Sequence, residues 1–188
     1  MDVRGRYGVI NNIAGKPLLL MALILSSSAF AAPIEYEDVA TLINQRLSYM
    51  KDVAGYKAKN HLAIEDLAQE DKVLSSTMLQ AEKLGLDGNS VRFFVQAQMD
   101  AAKAIQYRYR ADWLSQPEKG WEPQPLDLVR AKISLLSNVI LTDISAKLTE
   151  GGQFTDKADF MKRVDQTNLK DSDKERLWES LKKITLKK

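Results

Sequence analysis

The sequence has no cysteine and one histidine, His61. A zinc or copper site draws mainly on thiolate and imidazole ligands, so such a site is a poor fit to this chain. A disulfide framework is excluded as well. A Ser-His-Asp triad would have to run through His61, and no G-x-S-x-G turn is present. Haem attachment through C-x-x-C-H is ruled out. The only hint of a phosphate loop, Gly8 to Lys16, places six residues between its glycines where four are needed, and Pro17 stands where Ser or Thr should be. Charge of one sign is also scarce, with 27 basic and 25 acidic residues, so no basic stripe marks a nucleic-acid binder. No apolar run approaches the roughly 20 residues needed to span a bilayer. What remains is binding, or catalysis by positioned charge alone, with no cofactor and no metal.

The first 31 residues have the layout of a cleavable export signal. Arg4, Arg6 and Lys16 precede the apolar run PLLLMALIL (17–25), and Ala29-Phe30-Ala31 supplies a small-x-small cleavage site. Cleavage would leave a chain starting at Ala32-Pro33. The leader carries three basic residues and one acid, so 24 of each remain and the net charge is about zero. The expected location is the periplasm, with no membrane association after cleavage.

The remainder, residues 32–188, reads as one all-α domain, a bundle of about six helices. Pro and Gly are few and strand-like alternation is absent. A first helix is expected from about Tyr36 to Lys59, and a second from about Ile64 to Leu84, stopped by Gly85. Asn89 or Ser90 could cap a third, which runs to Trp113. The segment SQPEKGWEPQP, with three prolines and a glycine, is a loop. A fourth helix starts near Leu126 and ends at Gly151-Gly152. Two short helices follow, the last announced by Ser172-Asp173-Lys174-Glu175, a capping-box pattern.

Polar residues fall where apolar ones belong. On the first helix Val39, Leu42, Ile43, Leu47, Met50 and Val53 make a stripe, and Arg46 and Lys57 lie on it. Eleven residues apart, they differ by about 20° around a continuous helix and by about 16 Å along its axis. Gln106 shares a face with Gln98 and Ala102, and Arg130 lies among Leu126, Val129 and Ile133. Asp66, Gln69 and Glu70 add acceptors from the second helix. Long cations at stripe edges often snorkel to water. For Arg46, Lys57 and Arg130 together, two other readings stand beside that one: internal salt bridges to Asp66 or Glu70, or a ligand with two negative charges. Periodicity does not choose among them.

The runs NQRLSYMKDVAGYKAKN, IEDLAQE, FFVQAQMDAAKAIQYRYRADW and DLVRAKISLLSNVIL, in this order, resemble the secreted, gamma-subclass chorismate mutases of the all-helical type. The similarity covers most of residues 36–145; residues 150–188 resemble the family only in being helical. The resemblance implies a type II mutase fold and conversion of chorismate to prephenate, a Claisen rearrangement on the route toward phenylalanine. It also implies a homodimer with each active site inside one chain.

The resemblance carries roles onto matching positions. Arg46 and Arg130 correspond to the arginines that grip the two substrate carboxylates. Lys57 matches the lysine that reaches a carboxylate and the ether oxygen, and Gln106 the donor on that oxygen's other side. Glu70 matches the acid that accepts from the ring hydroxyl, with Asp66 helping there through its backbone. Two substrate-binding positions depart from the pattern. Gln69 stands where many relatives have an arginine, and Ala102 where some have Ser or Thr. The competing expectation is a periplasmic helical module that binds a dicarboxylate without turnover; a purely structural bundle is the third.

Overall fold

The computed structural model describes residues 38–188, which form seven helical segments. The expected leader and the expected helix start at Tyr36 lie outside the described residues. Helix α1 (Val39–Ser48) and α2 (Met50–Lys59) meet at Tyr49, whose backbone is itself right-handed helical (φ −74°, ψ −7°). Val53 N–H still donates to the Tyr49 carbonyl at 3.1 Å. The pair is therefore nearly one helix, and merging the two gives the six expected. Asp38 caps the start, its carboxylate accepting from the Ala40 and Thr41 amides. His61 ends α2. It sits at φ +53°, with Leu62 N–H reaching back to the Lys57 carbonyl at 2.8 Å. The lone histidine is thus a helix terminator of the Schellman kind.

Helix α3 (Leu67–Lys83) begins later than its apolar pattern implies, because Asp66 caps it by accepting from Gln69 N–H at 3.2 Å. It stops at Gly85, as expected, with φ +80°. Helix α4 (Gly88–Ser115) is capped by Asp87, whose carboxylate accepts from Asn89 N–H at 2.9 Å. Asn89 and Ser90, the anticipated caps, lie inside its first turn. Helix α5 (Leu126–Thr149) follows the proline-rich loop and ends at Gly151, φ +79°. Helices α6 (Lys157–Arg163) and α7 (Asp171–Leu181) complete the fold. Helix α7 starts one residue before Ser172. Asp173 accepts from Lys170 N–H at 3.0 Å, so the cap lies two residues earlier than anticipated, with Asp173 in the acidic role expected of Glu175, which pairs instead with Lys157 at 2.6 Å.

Helix α4 is the spine: α2, α3 and α7 all pack on it, while α1 packs on α5. Ile43, Leu47, Phe94, Ile105, Ile140, Ile144 and Leu177 are essentially without solvent contact. Burial of each such side chain stabilises the fold by about 1.5–3 kcal/mol. Phe160 and Trp178, with ring centroids 5.2 Å apart, join α6 to α7. Beyond α7, Thr185 and Lys187 pair with the α3–α4 turn through Asp87 N–H and the Gly85 carbonyl, both at 2.8 Å. Among the described residues no helix is long and apolar enough to cross a membrane.

The 116–125 loop is fastened to α2. Asp52 accepts from Gln124 twice, at 3.0 Å (backbone) and 2.9 Å (side chain). Lys132 of α5 donates to the same Gln124 at 2.8 Å. The Trp121 ring lies over Gly55, so close that a Cβ there would sit 2.6 Å from it. Only glycine permits that approach. The contact fixes the loop and, through it, the entry of α5.

Candidate active site

A cavity of about 650 Å³ opens between α1, α2, α3, α4 and α5. All eight residues singled out from the sequence line it: Arg46, Lys57, Asp66, Gln69, Glu70, Ala102, Gln106 and Arg130. Arg46 and Lys57 face it from α1 and α2, so the small break at Tyr49 preserves their common face. No cluster of three or more His, Asp or Glu side chains that could hold a metal ion occurs among the described residues.

Arg46 is 6% exposed. Its Nε donates to Ser137 Oγ at 3.0 Å, and its Nη1 is buried with no partner. Burial alone pushes its pKa down to about 10, so it stays charged at neutral pH. A buried guanidinium edge without an acceptor is costly unless something anionic meets it. Lys57 Nζ donates to the Ile64 carbonyl at 2.5 Å. Burial holds its pKa down, as do Arg130 and, less strongly, Arg110, against the opposing pull of Asp66 and Glu70. An anion entering the cavity would reverse that balance.

Gln106 is buried. Its Nε2 donates to the Ala102 carbonyl one turn back at 3.1 Å, and its Oε1 has no partner. Ala102 contributes only its methyl and that carbonyl. Glu70 is engaged by Lys103, Nζ to Oε2 at 2.8 Å, and its Oε1 lies 3.4 Å from the Asp66 N–H. Arg130 is less inward than its helical position implied. Its side chain is 42% exposed at the cavity rim, 3.8 Å from the Asp66 carboxylate. An exposed pair at that separation contributes little.

The internal salt-bridge reading therefore fails for two of three cations. Lys57 meets a carbonyl and Arg46 a hydroxyl, and neither has a carboxylate within salt-bridge distance. The cavity wall bears Arg46, Lys57, Lys72, Lys103 and Arg130 against Asp66 and Glu70. This suits a small dianion with an additional hydrogen-bonding group.

Sequence reasoning missed Ser137, Lys103 and the polar face of α3. Ser137 is two turns beyond Arg130, on the same face of α5. Along α3, Gln69, Val73, Ser76, Thr77 and Gln80 all line the cavity, and Ala81 is the only buried residue of that helix. A helix whose inward side is polar is itself a signal of a ligand wall.

The family description for chorismate mutase type II matches residues 37–107. The chain is 50% identical over 177 residues to a protein named secreted chorismate mutase from Yersinia pestis, covering 93% of this chain and 94% of that one. It is 40% identical over 171 residues to one named monofunctional chorismate mutase from Enterobacter agglomerans, covering 89% and 94%. The crystal structure of secreted chorismate mutase from Yersinia pestis superposes with a TM-score of 0.78 at 56% identity, covering 79% of this chain and 97% of that one.

Proposed function

This chain belongs to the type II chorismate mutase family, and from that premise we propose how its cavity converts chorismate to prephenate. Arg46 and Arg130 each take one substrate carboxylate. The Nε of Arg46 is already held by Ser137, which leaves the Nη edge, including the unpartnered Nη1, to face the ligand. Bidentate guanidinium–carboxylate pairing fits that edge. The ammonium of Lys57 commits one N–H to the Ile64 carbonyl and has two left, enough for a carboxylate and the ether oxygen. Gln106 turns its Nε2 from the Ala102 carbonyl to the other side of that oxygen. Glu70 accepts from the ring hydroxyl, beside the backbone of Asp66. Gln69 offers a neutral hydrogen bond and Ala102 shape.

The chemistry needs nothing more. Within one molecule an ether C–O bond breaks as a C–C bond forms, and negative charge builds on the departing oxygen. Donors fixed there stabilise the transition state more than the ground state. The two clamps hold the side chain folded over the ring, in the geometry from which reaction proceeds. The observation that carries the reading is the buried, unpartnered Nη1 of Arg46 beside the cavity.

Incubation with chorismate tests it. Enzymatic loss of chorismate absorbance, with phenylpyruvate after acid treatment, is the expected result. Saturable binding without turnover would favour the dicarboxylate-binding module, and no binding the structural bundle. The reading extends to an exported enzyme with a cleaved leader 1–31, a single helical domain 32–188 and pairing of two copies. A periplasmic product starting at Ala32, with twice the chain mass by light scattering, is expected.

A further inference from the structure

We propose that Lys103 is a specificity residue of this cavity, forming with Glu70 a donor–acceptor pair that requires a hydroxyl on the ligand. The proposal rests on reading Glu70 as the acceptor of the ring hydroxyl. Lys103 lies on the cavity wall one residue past Ala102 and three before Gln106. Its side chain is 22% exposed and that of Glu70 18%, so their contact is largely withdrawn from water.

The ammonium is held on two sides. It meets Glu70 Oε2 at 2.8 Å and Asp100 Oδ1 at 3.7 Å. Asp100 is fixed in turn by Gln96 Nε2 at 3.0 Å and by Arg176 Nη2 of α7 at 2.6 Å. One ammonium proton is thus committed to Glu70, the Asp100 contact being an ion pair too long for a hydrogen bond, and the ammonium keeps donor capacity for a ligand in the cavity it lines. Glu70 Oε2 likewise keeps a second lone pair. A hydroxyl is both donor and acceptor: it gives its proton to Glu70 and takes one from Lys103. A ketone could satisfy only Lys103, and a hydrogen in its place would satisfy neither. A site that leaves two polar groups unanswered discriminates strongly against the analogue.

The competing account is an ion pair that merely fastens α3 to α4. That role does not depend on the ligand, so the test compares two ligands: kcat/KM for chorismate, and the inhibition constant of its analogue lacking the ring hydroxyl. Lys103→Met should lower kcat/KM for chorismate about 10- to 100-fold and leave the analogue's inhibition constant within about threefold. Lys103→Arg, which keeps a donor and a charge, should recover most of the loss. Equal weakening toward both ligands, or none toward either, overturns the proposal. Should Lys103→Met fail to fold by circular dichroism, Lys103→Gln gives the same comparison. Glu70→Gln separates the two layers. If it leaves chorismate turnover intact, the Glu70 reading falls and this proposal with it. If it lowers turnover while Lys103→Met does not, only the proposal falls.

Discussion

Replacing Arg46 by methionine should make the protein more stable and much less active. The guanidinium is buried, one of its nitrogens lacks a partner, and burial pushes its pKa down to about 10. Set against the ordinary arginine value, this depression is a penalty of about 3 kcal/mol on the charged form. Methionine keeps the apolar stem and removes the charge. The bond to Ser137 Oγ is lost, about 1 kcal/mol, but that hydroxyl still donates to the Ile133 carbonyl at 2.8 Å and is not orphaned. The net gain is about 1–2 kcal/mol, or a Tm rise of roughly 2–8 °C for a chain of this size.

The sign with pH follows from the depressed value. The folded state holds this proton less tightly than the unfolded one, so stability recovers only as pH climbs above about 10 toward the ordinary arginine value. From pH 6 to 9 the difference between Arg46→Met and the parent should therefore be constant. Activity should move the other way. Loss of a buried charged partner for a carboxylate typically costs about 2–5 kcal/mol, so kcat/KM for chorismate should fall at least 30-fold. Urea titration followed by circular dichroism, with chorismate absorbance for turnover, reads both effects. A variant destabilised by more than 1 kcal/mol, or one within threefold of parental kcat/KM, would refute the reasoning.

Lys57→Ala removes a preorganised donor at the breaking bond and should be the most damaging single change, about 2.7–4 kcal/mol in kcat; near-normal kcat would sink the assignment of Lys57. Gln106 donates without needing a proton, so the parent's activity should show no loss from pH 5 to 8, whereas Gln106→Glu should lose activity as pH rises and the carboxyl ionises. A parental profile that falls steeply in that range argues against Gln106. Gly55→Ala forces the Trp121 ring away from α2 and should destabilise by about 1–3 kcal/mol, as overpacking does. Altered tryptophan emission and a raised KM should accompany it, because the displaced loop sets the entry of α5 and so the position of Arg130; unchanged emission and stability would show that the loop is free to move.

Arg46, Lys57 and Gln106 were legible because helical periodicity alone decides which face a residue shares. A polar side chain on a face otherwise filled by Leu, Ile and Val is visible in one dimension. Arg130 was only half legible: the pattern put it on the right helix and toward the right cavity, but its exposure at the rim depends on how far α3 closes over it. The start of α4 was ambiguous because Asp87, Asn89 and Ser90 all have capping chemistry, and backbone geometry chose the first. Lys103 reads in sequence as one more solvated lysine; only the fold brings Glu70, 33 residues earlier, to its ammonium. The Trp121–Gly55 contact likewise spans 66 positions and leaves no local trace. Nor did sequence alone reveal that residues 171–181 lie along α4 and reach the site through Arg176 and Asp100.

Residues of α1 to α5 and of the α2–α3 connection, all from one chain, line the cavity. The consequence is genetic. Two defective alleles, one lacking the Arg46 guanidinium and the other that of Arg130, should not rescue each other when expressed together, because both groups line the same cavity of the same chain. By the same token a damaged copy should not poison an intact one. Activity in a mixed population should scale with the number of sound chains.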